Sequence, residues 1–279
     1  MSSVTGRINS ITQPIGGYIN PSAFEVINLK DGKTLNSHEN IHATYIGLTV
    51  DYLTRFCMGT NLIESFKISL HGTLIAEKFG KIPYAKENAQ KYLSEIKGLD
   101  DLSIVSACKL TSFDIWYRHP RAALTALTHN DINPDPSTIQ NIRTLTERSI
   151  AFWKDNGPLI GDGFDFYPVI KDKDIYKKMM ETKSGSYGGY TSVVNTGDGD
   201  FLTEDTLWDL KVLKSEPKPE HTLQLLMYWI MGKHSGQNIY KNISKIGIYN
   251  PRLNKRYTLD MNKVSENTIK AVEKDVICY

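Results

Sequence analysis

Apolar residues recur at helical spacing soon after the chain begins. Ile41, Tyr45, Leu48, Tyr52 and Phe56 fall on one face of a 3.6-residue period. Asn36 and Ser37, just ahead of them, are good N-cap residues, so a helix is predicted to start there. The same period predicts helices over residues 63–81, 85–96, 102–107 and 137–153, while 112–117 also fits a strand. The chain up to about Lys33 is rich in Gly, Pro, Asn and Ser, and predicts extended loop with at most one short strand.

After Gly157 the apolar residues come in short runs instead. Strands are expected over 164–170, 190–194, 200–202, 207–213, 245–249 and 256–260, with a short helix or edge at 175–181. Pro217 and Pro219 break the chain, and a helix over 221–231 is expected to stop at Gly232. Residues 184–189 contain three glycines, but no strand-to-helix step with Lys-Ser/Thr follows, so they predict a turn and not a phosphate loop. Helices before and after a small sheet make the chain α/β or α+β. No repeat or linker interrupts it, which predicts one domain over 1–279, with a mostly helical N-terminal half (about 36–155) and a sheet core (about 160–262).

Composition narrows the classes. Lys and Arg number 33 against 31 Asp and Glu, a net charge of +2, so any surface for nucleic acid must be local. No apolar run reaches the ~18–20 residues of a membrane span, and the polar first residues lack a signal peptide's apolar stretch. Cys57, Cys108 and Cys278 are widely separated and odd in number. That argues against disulfides, a zinc knuckle or an iron–sulfur cluster, and for the cytoplasm. Oligomeric state is not legible.

The chemistry concentrates in Gly197-Asp-Gly-Asp200-Phe-Leu-Thr-Glu-Asp-Thr-Leu-Trp-Asp209-Leu-Lys211. If residues 203–206 form a turn, Leu202 pairs with Leu207 and Asp200 comes opposite Asp209, on one face with Lys211. Two facing carboxylates repel, and a hard divalent cation resolves the conflict. An exposed Asp-x-Lys would be an ordinary solvated ion pair. Here Phe201, Leu202, Leu207, Trp208 and Leu210 predict a buried strand, in which charges need partners. One helix further on, Gln224 and Tyr228 share a face. They suit either substrate contact or a satisfied buried pair.

Together these residues resemble the PD-(D/E)xK nuclease superfamily, in its RecB-type exonuclease branch. The motifs are Gly197-x-x-Asp200, Asp209-x-Lys211 and Gln224-x-x-x-Tyr228, covering residues 190–232. The resemblance implies a restriction-endonuclease-like mixed central sheet flanked by helices, and hydrolysis of DNA phosphodiesters with Mg²⁺ or Mn²⁺. It implies Asp200, Asp209 and the carbonyl of Leu210 as metal ligands, Lys211 beside the attacking water, and Gln224 and Tyr228 completing the site. The branch also carries a His or Glu on an upstream helix, often four residues after a glycine, a place where this chain substitutes an aspartate. Gly47-x-x-x-Asp51 has that spacing, although Asp51 equally suits an ion pair with Arg55 at i+4; His71 and Glu147 are further candidates. Lys214, Arg252 and Arg55 are candidate phosphate contacts, with Lys218 and Lys255 nearby.

Two other functions fit parts of the chain. One is a nucleic-acid-binding module on the same fold without cleavage. The other is a zinc metallopeptidase, because His38-Glu39-Asn40-Ile41-His42 is a literal H-E-x-x-H that would place both His on one helical face, with Glu64 a possible third ligand.

Overall fold

The computed structural model describes residues 2–79, 82–168 and 188–279. The expected element at 175–181 and most of the turn at 184–189 lie outside them. The chain forms two compact units, Lys30–Asp155 and Met1–Leu29 with Asn156–Tyr279.

The chain enters through β1 (Ser2–Ser3), α1 (Val4–Ser10) and β2 (Glu25–Asn28). Helix α1 corrects the expectation of loop. Its roughly two turns bury only Val4 and Ile8, too little periodicity to stand out among polar neighbours, and Ser3 caps it by accepting from the Gly6 amide.

The Lys30–Asp155 unit is helical: α2 (Ala43–Cys57), α3 (Leu62–Ser65), α4 (Lys67–Lys78), α5 (Ala85–Glu95), α6 (Asp101–Thr111), α7 (Asp114–Arg118), α8 (Pro120–Ala123) and α9 (Pro136–Asn156). Asp135 caps α9 through the Thr138 amide at 2.7 Å, and Pro136 takes the first position, where no donor is needed. Residues 112–117 form a turn and the start of α7, not a strand. Phe113 and Trp116 are buried while Tyr117 is exposed, a spacing of three that a strand's alternation cannot supply. Gly72 allows α4 to lie against α7, since a Cβ there would fall 1.9 Å from the Phe113 carbonyl oxygen.

The second unit contains β3 (Gly161–Phe164), β4 (Val194–Thr196), β5 (Gly199–Leu202), β6 (Thr206–Leu210), α10 (Pro219–Ser235), β7 (Lys245–Asn250), β8 (Lys255–Asp260) and α11 (Glu266–Ala271), which runs on as a π-helical turn over Val272–Ile277. Six strands make one mixed sheet, ordered β2-β8-β7-β6-β5-β3; β6 and β7 are parallel, linked through α10, and the other neighbours are antiparallel. This is the α/β architecture expected, with strand ends shifted. β3 starts at Gly161, ahead of the 164 expected, and β4 lies at Val194–Thr196 where a strand over 190–194 was expected. β6 ends at Leu210 and not at 213.

Helix α10 also departs from expectation. Pro219 opens it, and it continues through Gly232 to a left-handed cap at Gly236. Gly232 is inside because the Tyr240 ring lies where its side chain would be, with Tyr240 Cδ1 2.6 Å from an added Cβ. One face of the sheet, carrying Leu202, Leu207, Ile246, Ile248, Tyr257 and Leu259, buries against Leu223, Leu226, Met227 and Ile230 of α10. Val4 and Ile8 of α1, and Val272, Val276 and Ile277, join the same core. Burial of such side chains contributes roughly 1.5–3 kcal/mol each and dominates the folding of this unit.

Candidate active site

The β5–β6 hairpin has the register the sequence predicts: Leu202 opposes Leu207 and Phe201 opposes Trp208. The ladder then stops. One step further, the Leu210 amide finds no main-chain acceptor on β5; the Asp200 Oδ2 accepts it instead, at 2.7 Å. A buried amide must be satisfied, so this bond fixes the Asp200 carboxylate against the strand that carries Asp209. Gly199 lies under the Phe164 ring, which leaves no room for a side chain at that point of β5.

Asp209 occupies the inward-facing position two along from Leu207 and is only 2 % exposed. Its Oδ2 lies 3.0 Å from the Lys211 Nζ, yet among the described residues it accepts no hydrogen bond. The charge of Lys211 compensates the carboxylate, while this buried oxygen keeps acceptor capacity. Lys211 is held by its own amide, which donates to the Tyr249 carbonyl at 3.0 Å, and its side chain remains 23 % exposed.

Helix α10 brings up the rest. The Gln224 Nε2 donates to the Tyr228 Oη at 2.8 Å. Burial holds the Tyr228 phenol well above its ordinary pKa, and the charges of Asp209, Asp198 and Asp200 push it further in the same direction. The phenol is therefore a neutral group beside the acidic corner. Gly197 fits its place because Val4 Cγ2 lies 2.7 Å from where a Cβ would stand, and its carbonyl accepts from the Tyr190 hydroxyl at 2.6 Å. Asp200, Asp209, Lys211, Gln224 and Tyr228 thus meet at one corner of the sheet unit.

Sequence reasoning passed over His221. It lies in the first turn of α10, half-buried, and its Nδ1 accepts from the Lys218 amide at 2.9 Å. Burial lowers its pKa, Lys211 adds to the effect, and Asp209 opposes it. The usable signal was its position, three residues before Gln224 and seven before Tyr228 on one helical face.

Asp51 and Arg55 belong to the helical unit and bind each other twice, Arg55 Nε to Asp51 Oδ1 at 2.8 Å and Nη2 to Oδ2 at 3.3 Å. That is the i+4 ion pair. Glu147 is paired with Lys33 at 2.6 Å, and the His71 ring packs against Tyr117. Lys214 is exposed, Lys255 is bonded to Glu216, and Arg252 is half-buried in the β7–β8 turn, its amide held by Asn250 Oδ1.

The H-E-x-x-H segment is not helical, which removes the basis for a zinc peptidase. Helix α2 starts at Ala43, not at Asn36 or Ser37, and His42 is its N-cap. The preceding residues are tied down by side-chain bonds instead: Asn36 and Glu39 to Asn141, and Asn40 to Thr138 and Asn133. Such bonds compete with helix formation. His38 and His42 therefore do not share a helical face. Among the described residues, no three His, Cys, Asp or Glu side chains gather as a metal-binding group, and no helix is long and apolar enough to cross a membrane.

No protein-family model matches the chain, and no curated protein or solved structure does either.

Proposed function

We propose that this chain is a metal-dependent nuclease of the PD-(D/E)xK type, on a restriction-endonuclease-like sheet, hydrolysing DNA phosphodiester bonds in the manner of the RecB-type exonucleases. One observation carries the reading: among the described residues the buried Asp209 Oδ2 accepts no hydrogen bond, and it lies in a corner with Asp200 and Lys211. Lys211 balances one charge at 3.0 Å, and a buried oxygen with acceptor capacity left over beside a second carboxylate can take a hard divalent cation as well.

The donor set fits Mg²⁺ or Mn²⁺. Asp200, Asp209 and the Leu210 carbonyl are hard oxygen ligands, and such ions usually keep several waters, so a third acidic ligand is not needed. Asp51 is left out of this set because Arg55 holds both its oxygens. A bound ion would acidify water and polarise the phosphoryl group. Lys211 orients the attacking water or balances charge on the phosphate. The water oxygen bonds to phosphorus as the bond to the leaving sugar oxygen breaks, and the resemblance implies that the phosphate stays on the 5′ end. Tyr228, neutral and tied to Gln224, holds the wall behind the acidic pair. Lys214 and Arg252 are proposed contacts to the strand's phosphates.

The test is incubation with linear and circular DNA in Mg²⁺, Mn²⁺ or EDTA, using wild type and Asp209→Ala. Metal-dependent cleavage by wild type alone is expected. Cleavage that survives Asp209→Ala overturns the site, and salt-sensitive binding without cleavage favours a binding module.

A further inference from the structure

His221 is set up as a donor that no described residue receives. Its Nδ1 accepts the Lys218 amide at 2.9 Å, which satisfies one of the orphan amides at the start of α10. An acceptor nitrogen carries no proton, so the neutral ring keeps its hydrogen on Nε2. Burial and the neighbouring Lys211 both favour that neutral form. Among the described residues no hydrogen bond to Nε2 is made, and the ring is half-buried. His221, Gln224 and Tyr228 follow one another along one face of α10, spaced three and four apart. The charges of Lys211 and Asp209 both act on the ring.

We propose that His221 is a substrate-contacting residue, whose Nε2–H donates to a non-bridging phosphate oxygen of the strand bound at the Asp200–Asp209 corner. The role rests on the nuclease reading. It also explains why a histidine stands where Glu or Gln would serve equally well as a cap: a carboxylate would repel the phosphate, whereas a ring locked by its cap offers one aimed donor.

The test compares wild type, His221→Asn, His221→Ala and Asp209→Asn in Mn²⁺-dependent DNA cleavage, with a thermal melt of each. Asparagine's Oδ1 stands where Nδ1 does and keeps the cap, but it has no donor at the Nε2 position. The expected result is an Asn variant that melts with wild type yet loses about 10–100-fold in kcat/KM, the effect of one hydrogen bond to a charged group. Unchanged cleavage by His221→Asn, with Asp209→Asn inactive, overturns the donor role and leaves the nuclease standing. A wild type that never cleaves, or an active Asp209→Asn, overturns both. A measurement on unmutated protein guards against a folding defect: the ¹⁵N resonance of His221 Nε2 should shift when a 5′-phosphorylated oligonucleotide is added with Ca²⁺. No shift overturns the contact.

Discussion

Asp114 and Asp209 are both buried carboxylates, 1 % and 2 % exposed, and they are opposite in character. Asp114, in the helical unit, accepts from the Tyr52 hydroxyl through Oδ2 and from the Ser69 hydroxyl through Oδ1, and Arg118 lies 3.5 Å from Oδ2. Each oxygen has its donor, so the group is finished and serves packing. Asp209 has a lysine 3.0 Å away but, among the described residues, an oxygen that accepts no hydrogen bond. Burial alone therefore says little about function; what separates the two is whether the acceptor capacity has been used.

Several substitutions would break or sharpen that contrast. The largest expected effect is Asp209→Asn, which should lower cleavage by about a thousandfold or more while leaving the melting temperature equal to or above that of wild type. A matching loss of stability would put Asp209 in the same class as Asp114. Lys211→Met should follow, with a loss of about 10²–10³ in kcat, since it removes the charge proposed to act on the phosphate and water. The helical unit should respond the other way. Asp114→Ala strands the Tyr52 and Ser69 hydroxyls and the Arg118 charge, and should cost about 3–5 kcal/mol in urea unfolding with no change in kcat of the folded enzyme.

Tyr228→Phe is a smaller test. It removes the Gln224 bond and should cost about 1 kcal/mol of stability; a loss of cleavage comparable to that of Asp209→Asn would make the phenol a reacting group instead of a wall. The smallest effect concerns pH. Burial, opposed by Arg118, Ser69 and Tyr52, raises the Asp114 pKa above its ordinary 3.8. The native state thus holds this proton more tightly than the unfolded chain. Its contribution is full below 3.8 and declines as pH rises through the folded value. Stability measured against pH should show that decline in wild type, and Asp114→Asn should lack it.

How far the sequence could be read follows the same physics. The β5–β6 register was legible because Leu202 and Leu207 bracket a polar four-residue turn, and one register alone buries both. Gln224 and Tyr228 were legible as one helical face. The end of the ladder was not, because the bond from the Leu210 amide to Asp200 is a side-chain substitution that no residue pattern announces. His221 stayed hidden because one histidine in a first helical turn reads as a cap, which it also is. The H-E-x-x-H motif misled for the converse reason. Its letters match a helix, but long-range bonds from Asn141 and Thr138 hold the segment irregular, and local periodicity does not see them.

Direct metal binding tests the central claim more closely than cleavage does. Calorimetric titration of Mn²⁺ into the protein, with Asp209→Asn as the comparison, reads the acidic corner itself. One site per chain in wild type, lost or weakened by at least about tenfold in Asp209→Asn, is the predicted result. Equal binding by the two proteins would contradict it.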